Sequence, residues 1–119
     1  MTAAAAPVEI RLAGIDALEI AQAYGQEARE SLERLVLGKS VMVVEEGRGY
    51  HGRRLAWLFL DGLNVNLALA REGWAWHYRR YSRDQQLAAA EARAREAGAG
   101  LWQDPDPIPP WEFRRGRRR

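Results

Sequence analysis

The chain has no cysteine, which excludes disulfides, thiolate metal ligands and a thiol nucleophile. That absence fits either side of a membrane and leaves the compartment open. No proline occurs from residue 8 to residue 104; Pro7, Pro105, Pro107, Pro109 and Pro110 all lie towards the ends. An uninterrupted folded unit is expected over about that range. No apolar run approaches membrane-spanning length. The opening Met1-Thr2-Ala3-Ala4-Ala5-Ala6-Pro7 lacks a basic n-region and has too short an apolar stretch for a signal peptide. Neither a leader nor a membrane insertion is therefore expected of this chain. No acidic residue precedes Val8, and His77 has no second histidine near it in sequence. His77 reads more simply as a structural residue than as a metal ligand.

What is present fits one modest globular domain: 119 residues, 47% of them apolar. The net charge of +2 is unevenly placed. Residues 1–113 carry a net −3, and the last six residues, Arg114-Arg115-Gly116-Arg117-Arg118-Arg119, add five arginines. Such a tail reads either as a mobile hook for polyanions or as a solvated terminus. The expected organisation is an Ala-rich start over residues 1–7, a domain over 8–113 and an Arg-rich tail over 114–119.

Val8 to Leu12 alternates as a strand, with Arg11 facing away from Val8, Ile10 and Leu12. Tyr24 to Leu37 has helical spacing, with Ala28, Leu32, Leu35 and Val36 on one stripe and Gly38 as the stop. A short strand is expected over Ser40–Val44, then a polar, glycine-containing loop over Glu45–His51. Arg54–Leu60 reads as a buried strand closed by the turn pair Asp61-Gly62. A short helix from Val65 ending at Gly73, a strand over Trp74–Tyr78, and a helix Gln85–Ala97 capped by Asp84 and ended by Gly98 complete the set. Asp104 to Pro110 is extended, and Trp111 and Phe113 are expected to dock it. The order reads as α+β, with helices outside a small antiparallel sheet or barrel.

Three charged residues stand out: Arg11 and Glu19 in Arg11-Leu12-Ala13-Gly14-Ile15-Asp16-Ala17-Leu18-Glu19, and Arg53 in His51-Gly52-Arg53-Arg54-Leu55-Ala56. With Asp16 they supply two guanidiniums, a metal-type carboxylate and a base-type carboxylate, the parts for phosphodiester cleavage. Each also has an ordinary reading. Arg11 serves equally as a strand arginine paired with Glu9 or Glu45. Asp16 suits a turn cap and Glu19 a surface carboxylate. Only the joint spacing lifts them. Tyr78, Tyr81 and Trp76 interleave with Arg79, Arg80 and Arg83, as base-stacking residues do, although tryptophans at such positions also serve as core.

Those strings, with Tyr24-Gly25-Gln26-Glu27-Ala28, Asp61-Gly62-Leu63-Asn64-Val65-Asn66, Gly73-Trp74-Ala75-Trp76 and Gly100-Leu101-Trp102, resemble the staphylococcal nuclease-like (thermonuclease) family. The similarity runs over about residues 8–113, with the motifs in order. It implies an OB-type five-stranded barrel with three helices. It further implies calcium-dependent cleavage of DNA and RNA. Arg11 and Arg53 resemble the catalytic arginines, and Glu19 resembles the glutamate that activates or orients water. Asp16 resembles a calcium ligand, and Ala17 stands where a backbone carbonyl also reaches the metal. Tyr78 and Tyr81 lie near the family's nucleotide-facing tyrosines. His51 replaces the usual tyrosine before Gly-Arg, and Arg114 and Arg115 add cationic contacts for the nucleic acid. Calcium takes such oxygen donors, and a bound cation positions water on a polarised phosphate.

Two departures follow from the same resemblance. The family's first hairpin, with a Gly-Asp-Thr-like string holding a second calcium carboxylate, has no counterpart before Val8. Weaker calcium binding is expected, together with a barrel incomplete at its N-terminal side. The Val8–Leu12 strand is then left with an open edge for a second copy or a partner; a gene start further upstream is the other explanation. Two functions are thus expected of the sequence. One is a calcium-dependent endonuclease acting on single-stranded DNA or RNA by metal-assisted water attack. The other is a non-catalytic OB-fold module, with a degenerate metal site, that binds nucleic acid or protein.

Overall fold

The computed structural model describes residues 9–48 and 54–117. Val8, His51 and Arg53 therefore lie outside the described residues. The architecture is α+β: two small sheets with four α-helices packed on them. β1 (Ile10–Leu12) runs parallel to β4 (Arg54–Leu60), and β3 (Met42–Arg48) runs antiparallel to β4 on its other side. β5 (Leu63–Asn64) returns along β4 after Asp61 and Gly62, both in the left-handed region at φ 48° and 84°. That backbone is what a tight hairpin turn requires. β2 (Ile15–Ala17) and β6 (Ala75–His77) form the second, antiparallel sheet.

Among the described residues the strands do not close into a barrel. β1 and β3 are the edges of the larger sheet among the described residues, and Met42, Val43 and Val44 of β3 remain exposed. The polar loop expected from Glu45 onwards is strand as far as Arg48. A bulge between Glu45 and Gly47 absorbs the irregularity, so the glycine that suggests a loop instead bends a continuing strand. The stretch around Asp16, expected to be a turn, is strand β2.

The helices end where their capping residues dictate. α1 (Gly25–Val36) turns Leu32, Leu35 and Val36 towards the core. α2 (Val65–Arg71) is capped by Asn64, whose side chain accepts from the Leu67 N–H. α3 (Gln85–Ala97) starts at Asp84, accepting from the Leu87 N–H, and stops at Gly98. A 3₁₀ turn (Gly100–Gln103) and the short α4 (Pro110–Phe113) close the chain, the latter begun by proline at its first position. One core gathers Ile15, Val65, Leu69, Ala75 and Leu87; a second gathers Leu18, Ala28, Trp76 and Leu101, with Trp102 and Trp111 against it.

Asn66 ties the sheet to α2. It is fully buried, donates to the Ala13 carbonyl at 3.0 Å and the Ala56 carbonyl at 3.1 Å, and accepts from the Leu58 N–H at 3.1 Å. The Ala13 carbonyl lies just before the bend that separates β1 from β2. Asn66→Ala would strand a buried carbonyl and a buried N–H, and a loss on the order of 3 kcal/mol is expected in urea unfolding. Asn66→Asp, which cannot donate, should lose stability as well; wild-type stability in both variants would refute the role.

Candidate active site

The bend at Gly14 brings Arg11 and Asp16 to one place. Gly14 has φ +77°, and a Cβ there would lie 2.4 Å from Leu87 Cδ1. A side chain would collide as well as strain the backbone. The Gly14 carbonyl accepts from the Tyr78 N–H at 2.9 Å, which locks the bend to the end of β6. In β2, Ile15 faces the first core, while Asp16 stands opposite Trp76 and faces the second.

Glu19 is placed by a residue that sequence reasoning passes over. The Gln22 side chain accepts from the Glu19 N–H at 2.8 Å and donates to the Ile108 carbonyl at 2.8 Å, so it joins the acid-bearing turn to the C-terminal segment. Gly25 lets α1 start against that turn, since a Cβ would sit 2.0 Å from the Glu19 carbonyl oxygen. Nothing in the pattern around Gln22 marks it, because its partners lie 3 and 86 residues away.

Asp16 is only 3% exposed. Its two oxygens are spanned by the Arg114 guanidinium, at 3.1 Å to Oδ1 and 2.7 Å to Oδ2. The same guanidinium lies 3.4 Å from Glu19 Oε2, and Arg11 approaches Asp16 at 3.7 Å. Two carboxylates thus face two guanidiniums. The fork geometry is the strong form of ion pair, and it is strongest where water is scarce. Hydrogen bonding to Asp16 raises the pKa of Arg114 above its ordinary value; partial burial opposes this, and the charges of Asp16 and Glu19 reinforce it.

Arg114 arrives on α4, and Trp111 anchors that helix. The Trp111 ring stacks on Tyr78 at 5.3 Å with the planes 5° apart, and meets Trp76 edge-on at 5.4 Å. Phe113 is buried beside it. Arg114 is therefore neither a mobile hook nor a solvated terminus: the aromatics dock the segment, and the buried Asp16 charge holds it. Arg117 likewise pairs with Glu112 and Asp106.

A cleft of about 270 Å³ opens beside this helix, lined by Trp76, His77, Tyr78, Arg79, Arg80, Trp111 and Arg115. Tyr81 packs edge-on against Tyr78 at 4.9 Å. Arg79 is held by Glu91, whose buried carboxylate also accepts from the His77 N–H and pairs with Arg95. Arg80 and Arg115 carry no ion pair among the described residues.

Arg11, Asp16 and Glu19 thus lie together; Tyr78 and Arg115 line the cleft beside α4, whose lining includes none of those three. Ala17 ends β2, exposed, opposite Ala75. Among the described residues Arg11 forms an ion pair with Asp16 and with neither Glu9 nor Glu45, the latter pairing with Arg54 at 3.4 Å. Calcium, as the resemblance implies it, does not fit the donor set in this arrangement. Calcium calls for six to eight oxygens, whereas the oxygens of Asp16 are already spanned by Arg114. Among the described residues no three acidic or histidine side chains cluster as metal ligands.

Residues 9–104 match the family described as staphylococcal nuclease homologue. The chain belongs to that family. It is 43% identical over 108 residues to an uncharacterized endonuclease of Escherichia coli O157:H7, covering 90% of this chain and 71% of that protein. It is 39% identical over 108 residues to an uncharacterized endonuclease of Haemophilus influenzae, covering 91% of this chain and 61% of the other. Staphylococcal-like nuclease CAN1 of Arabidopsis thaliana is 37% identical over 109 residues, 92% of this chain and 34% of the plant protein. The chain therefore spans about three-fifths of the Haemophilus relative and about a third of the plant one.

His77 supplies a pH readout next to the cleft. Burial lowers its pKa from 6.5, Arg79 adds to that, and Glu91 and Asp84 oppose it. Its ring Nε2 lies 3.0 Å from the Ser82 hydroxyl. The unfolded chain then binds this proton before the folded one, so the His77 contribution to stability is present above about pH 6.5 and is lost as the pH falls below it. The stability advantage of wild type over His77→Gln, from urea unfolding between about pH 7.5 and 5, should shrink towards acid. An advantage independent of pH would contradict a buried neutral imidazole.

Proposed function

We propose that this chain is a phosphodiesterase acting on unpaired DNA or RNA, in keeping with the relatives named as endonucleases. The observation that supports this most is the gathering of Arg11, Asp16 and Glu19 around the Arg114 guanidinium; the α4 segment, which carries Arg114, also supplies Trp111 and Arg115 to the cleft walled by Tyr78 and arginines. In this reading the Glu19 carboxylate accepts a proton from water. The water oxygen forms a bond to phosphorus, the bond to the leaving oxygen breaks, and solvent protonates that oxygen. Arg11, with Arg53 as its partner, neutralises the charge gathering on the equatorial oxygens. Asp16 holds the guanidiniums in place through its buried carboxylate. Tyr81, half exposed beside the Tyr78–Trp111 stack, offers a ring to bases, Tyr78 backs it, and Arg115 offers a cation to the backbone.

The test is cleavage of a labelled single-stranded DNA in calcium, with a chelator arm in parallel. Arg11→Ala, Glu19→Ala and Arg53→Ala should each slow cleavage by on the order of 10²–10³-fold. Unaltered rates in all three would sink the assignment.

A second reading, a binding module without chemistry, is favoured by one observation: Arg114 already satisfies the acids of the site. It requires tight strand binding with no cleavage in either buffer. Binding carried by arginines should weaken steeply with salt. Trp111→Ala should weaken it further, by about 1–3 kcal/mol if a base stacks there. Under this reading the open edges of β1 and β3 are the places for a second copy or a protein partner.

A further inference from the structure

We infer that Arg114 is the resident counter-cation of Asp16 and Glu19, and that a divalent cation reaches these acids only by displacing it. The inference rests on the geometry of the acid pair and not on the nuclease reading.

Three observations carry it. The guanidinium takes both oxygens of Asp16, at 3.1 and 2.7 Å, and reaches Glu19 at 3.4 Å. A hard cation needs the same lone pairs, and two cations competing for one buried carboxylate repel each other. With Arg11 at 3.7 Å from Asp16, the two acids are already matched by two positive charges. Nothing electrostatic calls for a third cation while Arg114 is in place.

The contact is also built, not incidental. Trp111 is stacked on Tyr78, and the Ile108 carbonyl is held by Gln22, the same side chain that fixes the Glu19 turn. The helix that delivers Arg114 is therefore anchored independently of the ion pair. Displacing the guanidinium frees one side chain and leaves the segment docked. The freed fork then stays beside the acids, where an incoming phosphate offers it a second anion. Arg114 is on this account a positioning residue that sets how readily a cation enters.

The experiment is a calcium titration of the full chain by calorimetry, with terbium luminescence as a second probe. It is run on wild type, Arg114→Ala, Arg114→Gln and Arg114→Lys, with Asp16→Asn as the control for the site. Arg114→Gln keeps a hydrogen-bond donor near Asp16 while removing the charge, so it reports even if Arg114→Ala fails to fold. Both neutral variants should bind calcium at least about tenfold more tightly than wild type, because removing a competing charge raises the net negative charge of the site. Arg114→Lys, a point charge without the fork, should fall between them and wild type. Adding Asp16→Asn to Arg114→Gln should abolish the gain. Calcium affinity in the neutral variants equal to or below that of wild type, including no binding in any of them, overturns the inference. Cleavage measured on the same samples separates the two ideas: tighter calcium binding without any cleavage removes the nuclease reading and leaves the role of Arg114 standing.

Discussion

A carboxylate that is nearly sealed from water must be neutralised by something, and at Asp16 the partner comes from the far end of the chain. Arg114 lies 98 positions away in sequence and makes a two-pronged contact with it. Removing that partner would leave the buried carboxylate with only the looser contact to Arg11, at 3.7 Å. The contact therefore organises more than the acid pair. It ties the end of α4, already docked through Trp111 on Tyr78 and Gln22 on the Ile108 carbonyl, to β2. The C-terminal segment is part of the site's architecture for that reason.

The other support comes from beneath the site. Arg11 and Asp16 sit on two strands that belong to different sheets, and only the bend at Gly14 joins them. Asn66 holds the carbonyl just before that bend, and the Tyr78 N–H holds the carbonyl at it. The spacing of five residues between Arg11 and Asp16 would bring them together in few other geometries. A single strand would put them on opposite faces.

How far this was legible in the sequence depended on the range of the physics involved. Elements governed by local patterns were readable: α3 between Asp84 and Gly98, β4 up to the Asp61-Gly62 turn, α2 after Asn64. Each is set by caps, periodicity or a tight turn within a few residues. β2 was read as a turn because three residues carry too little alternation to register, and its partner β6 lies about sixty positions on. β3 was cut short at Val44 because Gly47 signals a loop locally, whereas the ladder with β4 tolerates a bulge. In the site, the residue types at 11, 16 and 19 were recognisable as a set. Gln22 carries no signature; Asn66 stands in a family string and Arg114 reads as a contact for nucleic acid, but the positioning roles of all three rest on long-range contacts that no local pattern marks. The tail was the sharpest case: five arginines in six residues look like a solvated charge run, and only the burial of Asp16 singles out the first of them.

The charge balance of Asp16 and Glu19 bears on how this acid pair can meet a metal ion. A cluster with surplus carboxylates draws in a metal ion by its excess negative charge. Here Asp16 and Glu19 meet Arg11 and Arg114, and the excess is gone before any ion arrives. An anionic phosphate changes that balance. It supplies new negative charge next to two arginines, and it lowers the cost of moving a guanidinium from a carboxylate to a phosphate, since both offer a pair of acceptor oxygens to the fork. The acids are then left under-neutralised only when substrate is present. On the proposed role of Arg114, cation entry and phosphate binding would support one another through one side chain, and by linkage each would strengthen the other equally.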